Sequence, residues 1–301
     1  MRVFMAAALT VAAIAMLPRT LHAEQSEARS RCLAREGASI EQKLDACTAV
    51  IESGQETPRG LVAIYNARGN AYLGNRDYDH AIDDYGEATR LDPKFAIGFH
   101  NRGLGYHRKS QYDRAIQDYD EAIRLNPKYA SAFANRASAQ RSRGRLDLAV
   151  ADADQAIALD PNLTFAFFVR ALAYHDKALW DFEAYLNEGL YEDRAIQDYD
   201  EVIRRDPNNA AAFRNRGSLH LRMRRYDRAI ADFDEAIRLD GTVAGTFASR
   251  GYALRFAGQY DRAIADYRKA LTLKLDDATR RQIERALKQL GAGFSKTVIG
   301  E

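Results

Sequence analysis

The chain has 301 residues, 47% of them hydrophobic and 29% charged, so it can bury a sizeable core and is not of disordered composition. A net charge of +2 makes no case for nucleic acid or a membrane surface as partner. Length by itself suggests about two domains, but internal repetition overrides that suggestion.

Residues 1–23, MRVFMAAALTVAAIAMLPRTLHA, read as an export signal. Arg2 is the positive start, Val3 to Leu17 is an apolar run interrupted only by Thr10, Pro18 breaks it, and Leu21-His22-Ala23 suits a signal peptidase. The run is short against the roughly 20 residues of a membrane-spanning helix. An uncleaved anchor is the alternative. The mature protein is then periplasmic or secreted and starts near Glu24, with no stable membrane insertion. Cys32 follows Arg29-Ser30-Arg31 rather than the small residues of a lipidation site.

Cys32 and Cys47 are the only cysteines, an even pair in an exported chain. They flank a turn signal, Gly37-Ala38-Ser39. A helical hairpin centred there brings the two thiols level, which predicts a disulfide whose ring is worth about 3 kcal/mol in the loop-entropy model. Two buried free thiols are the alternative. Residues 24–61 form a degenerate helical cap, with Ile40 to Ile51 as its second helix and Ser53-Gly54 as its stop.

From residue 62 the chain repeats one sentence. YDRAIQDYDEAIRLNP at 112–127 returns as YEDRAIQDYDEVIRRDP at 191–207 and as YDRAIADFDEAIRLDG at 226–241. A small residue recurs at Gly69, Gly103, Ala137 and Ala171, each 34 apart, then at Gly217 and Gly251, again 34 apart. The step from 171 to 217 is longer by 12. Four residues before the small one stands an aromatic: Tyr65, Phe99, Phe133, Phe167, Phe213 and Phe247. Ala81, Ala115, Ala149, Ala195, Ala229 and Ala263 follow it, and four further on come Tyr85, Tyr119, Ala153, Tyr199, Phe233 and Tyr267. Pro93, Pro127, Pro161 and Pro207 close their repeats.

This pattern resembles the tetratricopeptide repeat (TPR) over residues 62–277. The resemblance implies an all-α, right-handed α-solenoid of six repeats, at 62–95, 96–129, 130–163, 164–209, 210–243 and 244–277. Each repeat is a pair of amphipathic helices that must stack on its neighbours to bury its apolar faces. The small position lets the helices approach. Asp79, Asp113, Asp147, Asp193, Asp227 and Asp261 stand where they can cap the second helix. Asp-Pro, or Asn126-Pro127, ends that helix. Asp240-Gly241 and the stretch near Leu275 lack the proline and mark their junctions less clearly.

One position departs from the family. Where it usually has leucine, this chain has Arg68, Arg102, Arg136, Arg170, Arg216 and Arg250. An aspartate recurs as regularly in the second helix, at Asp84, Asp118, Asp152, Asp198, Asp232 and Asp266. A ladder of arginines alone would suit phosphate. Matched aspartates favour structural pairs, because an unpaired buried guanidinium is costly.

The 12-residue excess lies inside the fourth repeat, around KALWDFEAYLNEGLY, whose helical spacing lengthens both helices and turns near Asn187-Glu188-Gly189. It carries Trp180, Phe182 and Tyr185, which either pack on the adjoining repeat or form a second interface. Residues 278–290 make a C-terminal capping helix with Ile283, Leu287 and Leu290 on one face, and 291–301 a loose tail.

No metalloprotease, phosphate-loop or nucleophile-elbow motif occurs, and no cysteine–histidine cluster. His100 and His107 share a helix face without a third ligand and read as surface histidines. The chain is therefore expected to be no enzyme, to need no cofactor or metal, and to act as a protein–protein interaction scaffold of the cell envelope. The alternative is an adaptor presenting clients to an envelope assembly or proteolysis enzyme. In the proteins it resembles, first helices line a concave groove. The corresponding positions here hold Arg108, Arg141, Arg214, Arg222 and Arg255, with Asn66, Asn101, Asn135 and Asn215 as amides able to bond an extended backbone. That set implies an acidic peptide as partner, not nucleic acid. Ala63, Ile97, Ser131 and Ala211 stand where a dedicated carboxylate clamp would have lysine. A merely solvated groove is the alternative.

Overall fold

The computed structural model describes residues 24–34, 37–180 and 189–291. All of its regular structure is helical, with no strand among the described residues. The chain divides into two compact units, residues 1–143 and 144–301.

The first unit opens on α1 (24–33) and α2 (Ile40–Glu52). Between them Gly37 takes φ +89, a left-handed turn that a side chain would strain. Ser39 then caps α2, accepting from the Gln42 amide while the Gln42 side chain accepts from the Ser39 amide. Cys32 and Cys47 are joined. Both are almost wholly buried, with Val50, Ile64 and Ala46 around them. The staple and the hairpin agree with the sequence, and Ser53 with Gly54 (φ +65) ends α2 as expected.

Then come α3 (Pro58–Gly74), α4 (Tyr78–Leu91), α5 (Ala96–Arg108), α6 (Tyr112–Leu125) and α7 (Ala130–Ser142). Proline at the first position of α3 is well placed, since its missing N–H would have no helical partner. The second unit holds α8 (Leu146–Leu159), α9 (Thr164–Trp180), α10 (Leu190–Arg205), α11 (Ala210–Arg222), α12 (Tyr226–Leu239), α13 (Ala244–Phe256), α14 (Tyr260–Leu271) and α15 (Asp277–Gln289). Ile283, Ala286 and Leu287 of α15 are buried against α13 and α14, the capping role the sequence suggested.

The expected caps are corrected. Asp79, Asp113, Asp147, Asp227 and Asp261 lie inside the first turn of their helices, and the cap positions are Asp77, Gln111, Arg145, Arg225 and Gln259. Only Asp77 of these makes a side-chain capping bond. First-turn aspartates favour the helix dipole, and four of them, Asp193 of α10 included, also bind cations of the next repeat. Asp79 pairs with Lys109, Asp113 with Arg143, Asp147 with Lys177 and Asp193 with Arg225.

The ends of the second helices follow the sequence. Asp92, Asn126, Asp160, Asp206 and Asp240 are the C-caps, and each side chain accepts from the amide two residues on. This local turn needs no proline, so Asp240-Gly241 closes its helix like the others.

The small position has a steric cause. A Cβ on Gly103 would stand 2.7 Å from Cε1 of Tyr119, and one on Gly69 equally close to Tyr85. Both tyrosines are fully buried and their rings fill that space. Gly103→Val should therefore lower stability by about 2 kcal/mol through overpacking. Gly86→Ala is the opposite case, because its Cβ would meet only Arg102 Nη1 at 3.9 Å. That change should raise stability by about 0.5–1 kcal/mol from helix propensity. Urea midpoints of the two variants check the pair, and equal shifts would remove the steric explanation.

Candidate functional site

The recurrent arginines decide which charges are left for a ligand. Arg68 donates to Asp84 through Nε and Nη2 at 2.8 and 2.7 Å, and Arg102 does the same to Asp118. Arg170–Asp198, Arg216–Asp232 and Arg250–Asp266 repeat the two-point geometry. In the fourth repeat the partners stand 28 residues apart instead of 16, so the 12-residue excess is absorbed without disturbing the pair. Each guanidinium also lies over the aromatic three residues earlier, as Arg102 does over Phe99 at 5.4 Å.

The sequence reasoning missed the third arm. Nη1 of Arg136, Arg170, Arg216 and Arg250 donates to Asp120, Asp154, Asp200 and Asp234 of the preceding repeat, at 2.5–2.6 Å. Arg68 and Arg102 use the hydroxyls of Thr48 and Thr89 instead. The signal was present: Asp120 and Asp154, like Asp200 and Asp234, are spaced by the repeat length. Burial pushes the Asp84, Asp118 and Asp198 carboxyls up, against the pull of their arginines. The same hydrogen bonds hold Arg68, Arg102 and Arg170 further into the charged form. Two short parallel N–H···O bonds require a carboxylate, and the pairs are charged.

The histidines are corrected. His100 is buried at 7% exposure and His107 is half-buried. Asn135 Nδ2 lies 3.0 Å from His100 Nε2, and Tyr129 OH lies 3.2 Å from Nδ1. Asn135 also donates to the Ser131 carbonyl. The amide N–H therefore donates to Nε2, which leaves Nδ1–H to donate to the Tyr129 hydroxyl. Burial pushes the His100 pKa down to about 4.

The predicted groove residues divide into engaged and unengaged sets. In the first unit Asn101 donates to Asn66 Oδ1 at 2.9 Å and reaches Asn70 Oδ1 at 3.4 Å, while Tyr85 OH donates to the same Asn70 oxygen. Asn135 is occupied with His100. Arg108 is exposed and makes no salt bridge among the described residues. Arg141 has a partner of its own. In the second unit Arg222 does not stand free: Nε donates to Glu192 at 3.0 Å and Nη2 to the Ala178 carbonyl at 2.7 Å. Arg214, Arg255 and Asn215 are half-buried, and neither arginine has a salt bridge among the described residues.

Helix α9 is described as far as Trp180, and Gly189 at φ +91 precedes α10, so the predicted extension and its turn near Asn187-Glu188 fall largely outside the described residues. Phe182 and Tyr185, like the leader at 1–23 and residues 292–301, lie outside the described residues. Among the described residues no helix is long and apolar enough to cross a membrane, and no group of three His, Cys, Asp or Glu side chains could hold a metal ion.

Helical hairpins repeated at a fixed interval, each riveted to the last, define an α-helical repeat scaffold. Tetratricopeptide repeat models match at residues 62–95, 96–129, 130–163, 182–244 and 244–277. The chain belongs to the tetratricopeptide repeat family and is a protein-interaction scaffold with protein partners. No curated protein matches it in sequence. Among solved structures it is similar to the Pseudomonas aeruginosa pilF protein, at 15% identity and a TM-score of 0.65 over 77% of this chain and 100% of that one. A tetratricopeptide repeat protein from Parabacteroides merdae matches at 17% identity and 0.59, over 84% of this chain and 92% of that one. PilW, a type IV pilus biogenesis factor, matches at 16% and 0.60, over 69% and 90%. At such identities these neighbours speak for the fold alone.

Proposed function

We propose that the protein is a non-enzymatic interaction scaffold of the cell envelope that binds an extended, acidic peptide segment along its first helices. The observation that carries this is the fate of the charges. Asp84, Asp118, Asp198, Asp232 and Asp266 of the second helices are bound by the chain's own arginines, whereas Arg108 in the first unit and Arg214 and Arg255 in the second, all on first helices, have no salt bridge among the described residues. In each unit these first-helix arginines are cations left for a partner, and they attract acidic peptides at long range. The envelope assignment rests on the leader at 1–23 and the Cys32–Cys47 disulfide, a bond of oxidising compartments.

Crosslinking pull-down from an envelope extract should capture a protein with an acidic segment. A peptide of that segment should bind at least tenfold more weakly to the Arg214→Glu, Arg255→Glu variant of the second unit, and more weakly as salt rises. Unchanged affinity across both comparisons would remove the groove reading.

A further inference from the structure

The stapled hairpin and the first repeat enclose a cleft of about 1050 Å³. Helix α3 supplies its floor, α1 and α2 one wall, and the turn after α4 the other. The hydrogen bonds of the floor set its chemistry. Asn66 and Asn70 both line the cleft, and both side-chain oxygens are engaged, by Asn101 and by Tyr85 with Asn101. Their Nδ2 groups make no hydrogen bond among the described residues and are left as donors one helical turn apart. Arg59 adds a cationic donor to the same lining. The carboxylate there, Asp92, is already accepting from the Lys94 amide. A lining that mostly donates matches a ligand that accepts: backbone carbonyls and carboxylates. Between the donors the surface is apolar, with Leu33, Phe95 and Ile40, the last exposed at 42%.

The wall made by α1 packs Ala28 and Leu33 on the buried cluster around the disulfide. Cys32 lines the cleft, and its bond to Cys47 together with the Arg29–Glu56 ion pair fastens α1 to the rest of the unit. We infer that this cleft binds an extended peptide segment carrying an apolar side chain beside an acidic one, and that the Cys32–Cys47 disulfide keeps it shaped to do so. The inference rests on the peptide-scaffold reading and adds a subsite, a side-chain preference and a redox dependence. A dithiol reductant delivers two electrons and two protons to the S–S bond, giving two thiols and the reductant's own disulfide. Among the described residues α1 then keeps the Arg29–Glu56 ion pair and the packing of Ala28 and Leu33.

The test uses the full mature chain and fluorescein-labelled decapeptides of alternating leucine and aspartate, read by anisotropy. Matched peptides replace aspartate by asparagine or leucine by serine. The Leu/Asp set should bind, and each replacement set should bind at least tenfold more weakly. Arg59→Glu with Asn70→Asp should also lose tenfold or more, as should dithiothreitol treatment and the Cys32→Ser, Cys47→Ser variant. Arg124→Glu, a surface reversal away from the cleft, should change nothing. Circular dichroism and the thermal midpoint of the repeats identify any variant that has merely unfolded. Binding that survives Arg59→Glu with Asn70→Asp overturns the site, and so does failure of the Leu/Asp set to bind the oxidised protein. Neither outcome touches the scaffold reading, which stands or falls with the pulled-down partner. Equal binding before and after reduction overturns the redox dependence.

Discussion

Replacing Asp118 by alanine should destabilise the first unit by about 3 kcal/mol, the lower end of the range for breaking a buried ion pair. Asp118 is 8% exposed at its side chain and Arg102 is 24% exposed, so water relieves only part of the stranded guanidinium. Two charge-assisted bonds are lost, leaving the Thr89 hydroxyl and the Phe99 ring. Removing both charges together, Arg102→Leu with Asp118→Leu, should recover most of that loss, because it leaves no uncompensated charge. The surface pair Arg124–Glu121 is the control, and Glu121→Ala should leave the midpoint in place. Urea unfolding measures all three. Asp118→Ala with the wild-type midpoint would show that the two-point pairs do not hold the hairpins together.

Mild acid should destabilise the protein through a buried histidine. His100 has an ordinary pKa of 6.5 and is held at about 4 by burial. Below pH 6.5 the unfolded chain binds a proton that the folded one refuses, so stability falls as pH falls through that window. At 1.36 kcal/mol for each pH unit the full effect is about 3 kcal/mol, of which about 2 is in place by pH 5. His107 and His220 are also pushed down by burial and add in the same direction. His80, exposed and beside Asp77, is raised and works weakly against them. His100→Gln keeps hydrogen-bonding capacity and does not titrate. Its midpoint should drop less between pH 7.5 and 5 than that of the wild type, and an equal drop would show that His100 is not the buried base described here.

The repeat, the close helix approach at the small position, the Arg–Asp pairs and the disulfide were all readable from spacing, because each links positions at a constant offset within or beside one hairpin. The failures have a common form. His100 looked like a surface residue because its partners, Tyr129 and Asn135, sit a whole repeat further on. The first-turn aspartates looked like caps because a capping residue and one two places inside a helix differ by a register no pattern fixed. Arg222 looked available for a ligand, yet its partner Glu192 belongs to the repeat that carries the insertion, where the period is broken. A one-dimensional repeat declares what recurs within it, and hides contacts made at a single junction.

The third arm of the arginines gives the stack a direction. Arg136, Arg170, Arg216 and Arg250 each reach back to an acid of the repeat before, and of those acids Asp234 also lies 4.0 Å from Arg262. Cutting a repeat from the C-terminal side of either unit exposes a carboxylate already near half-exposed, such as Asp200 or Asp234, and water solvates it. Cutting from the N-terminal side removes an anion from a guanidinium about a fifth exposed. Each unit is in this sense a ratchet: fraying is easier from its C-terminal side than from its N-terminal side, and a nascent chain can add a hairpin to a predecessor whose acid is already in place to receive it.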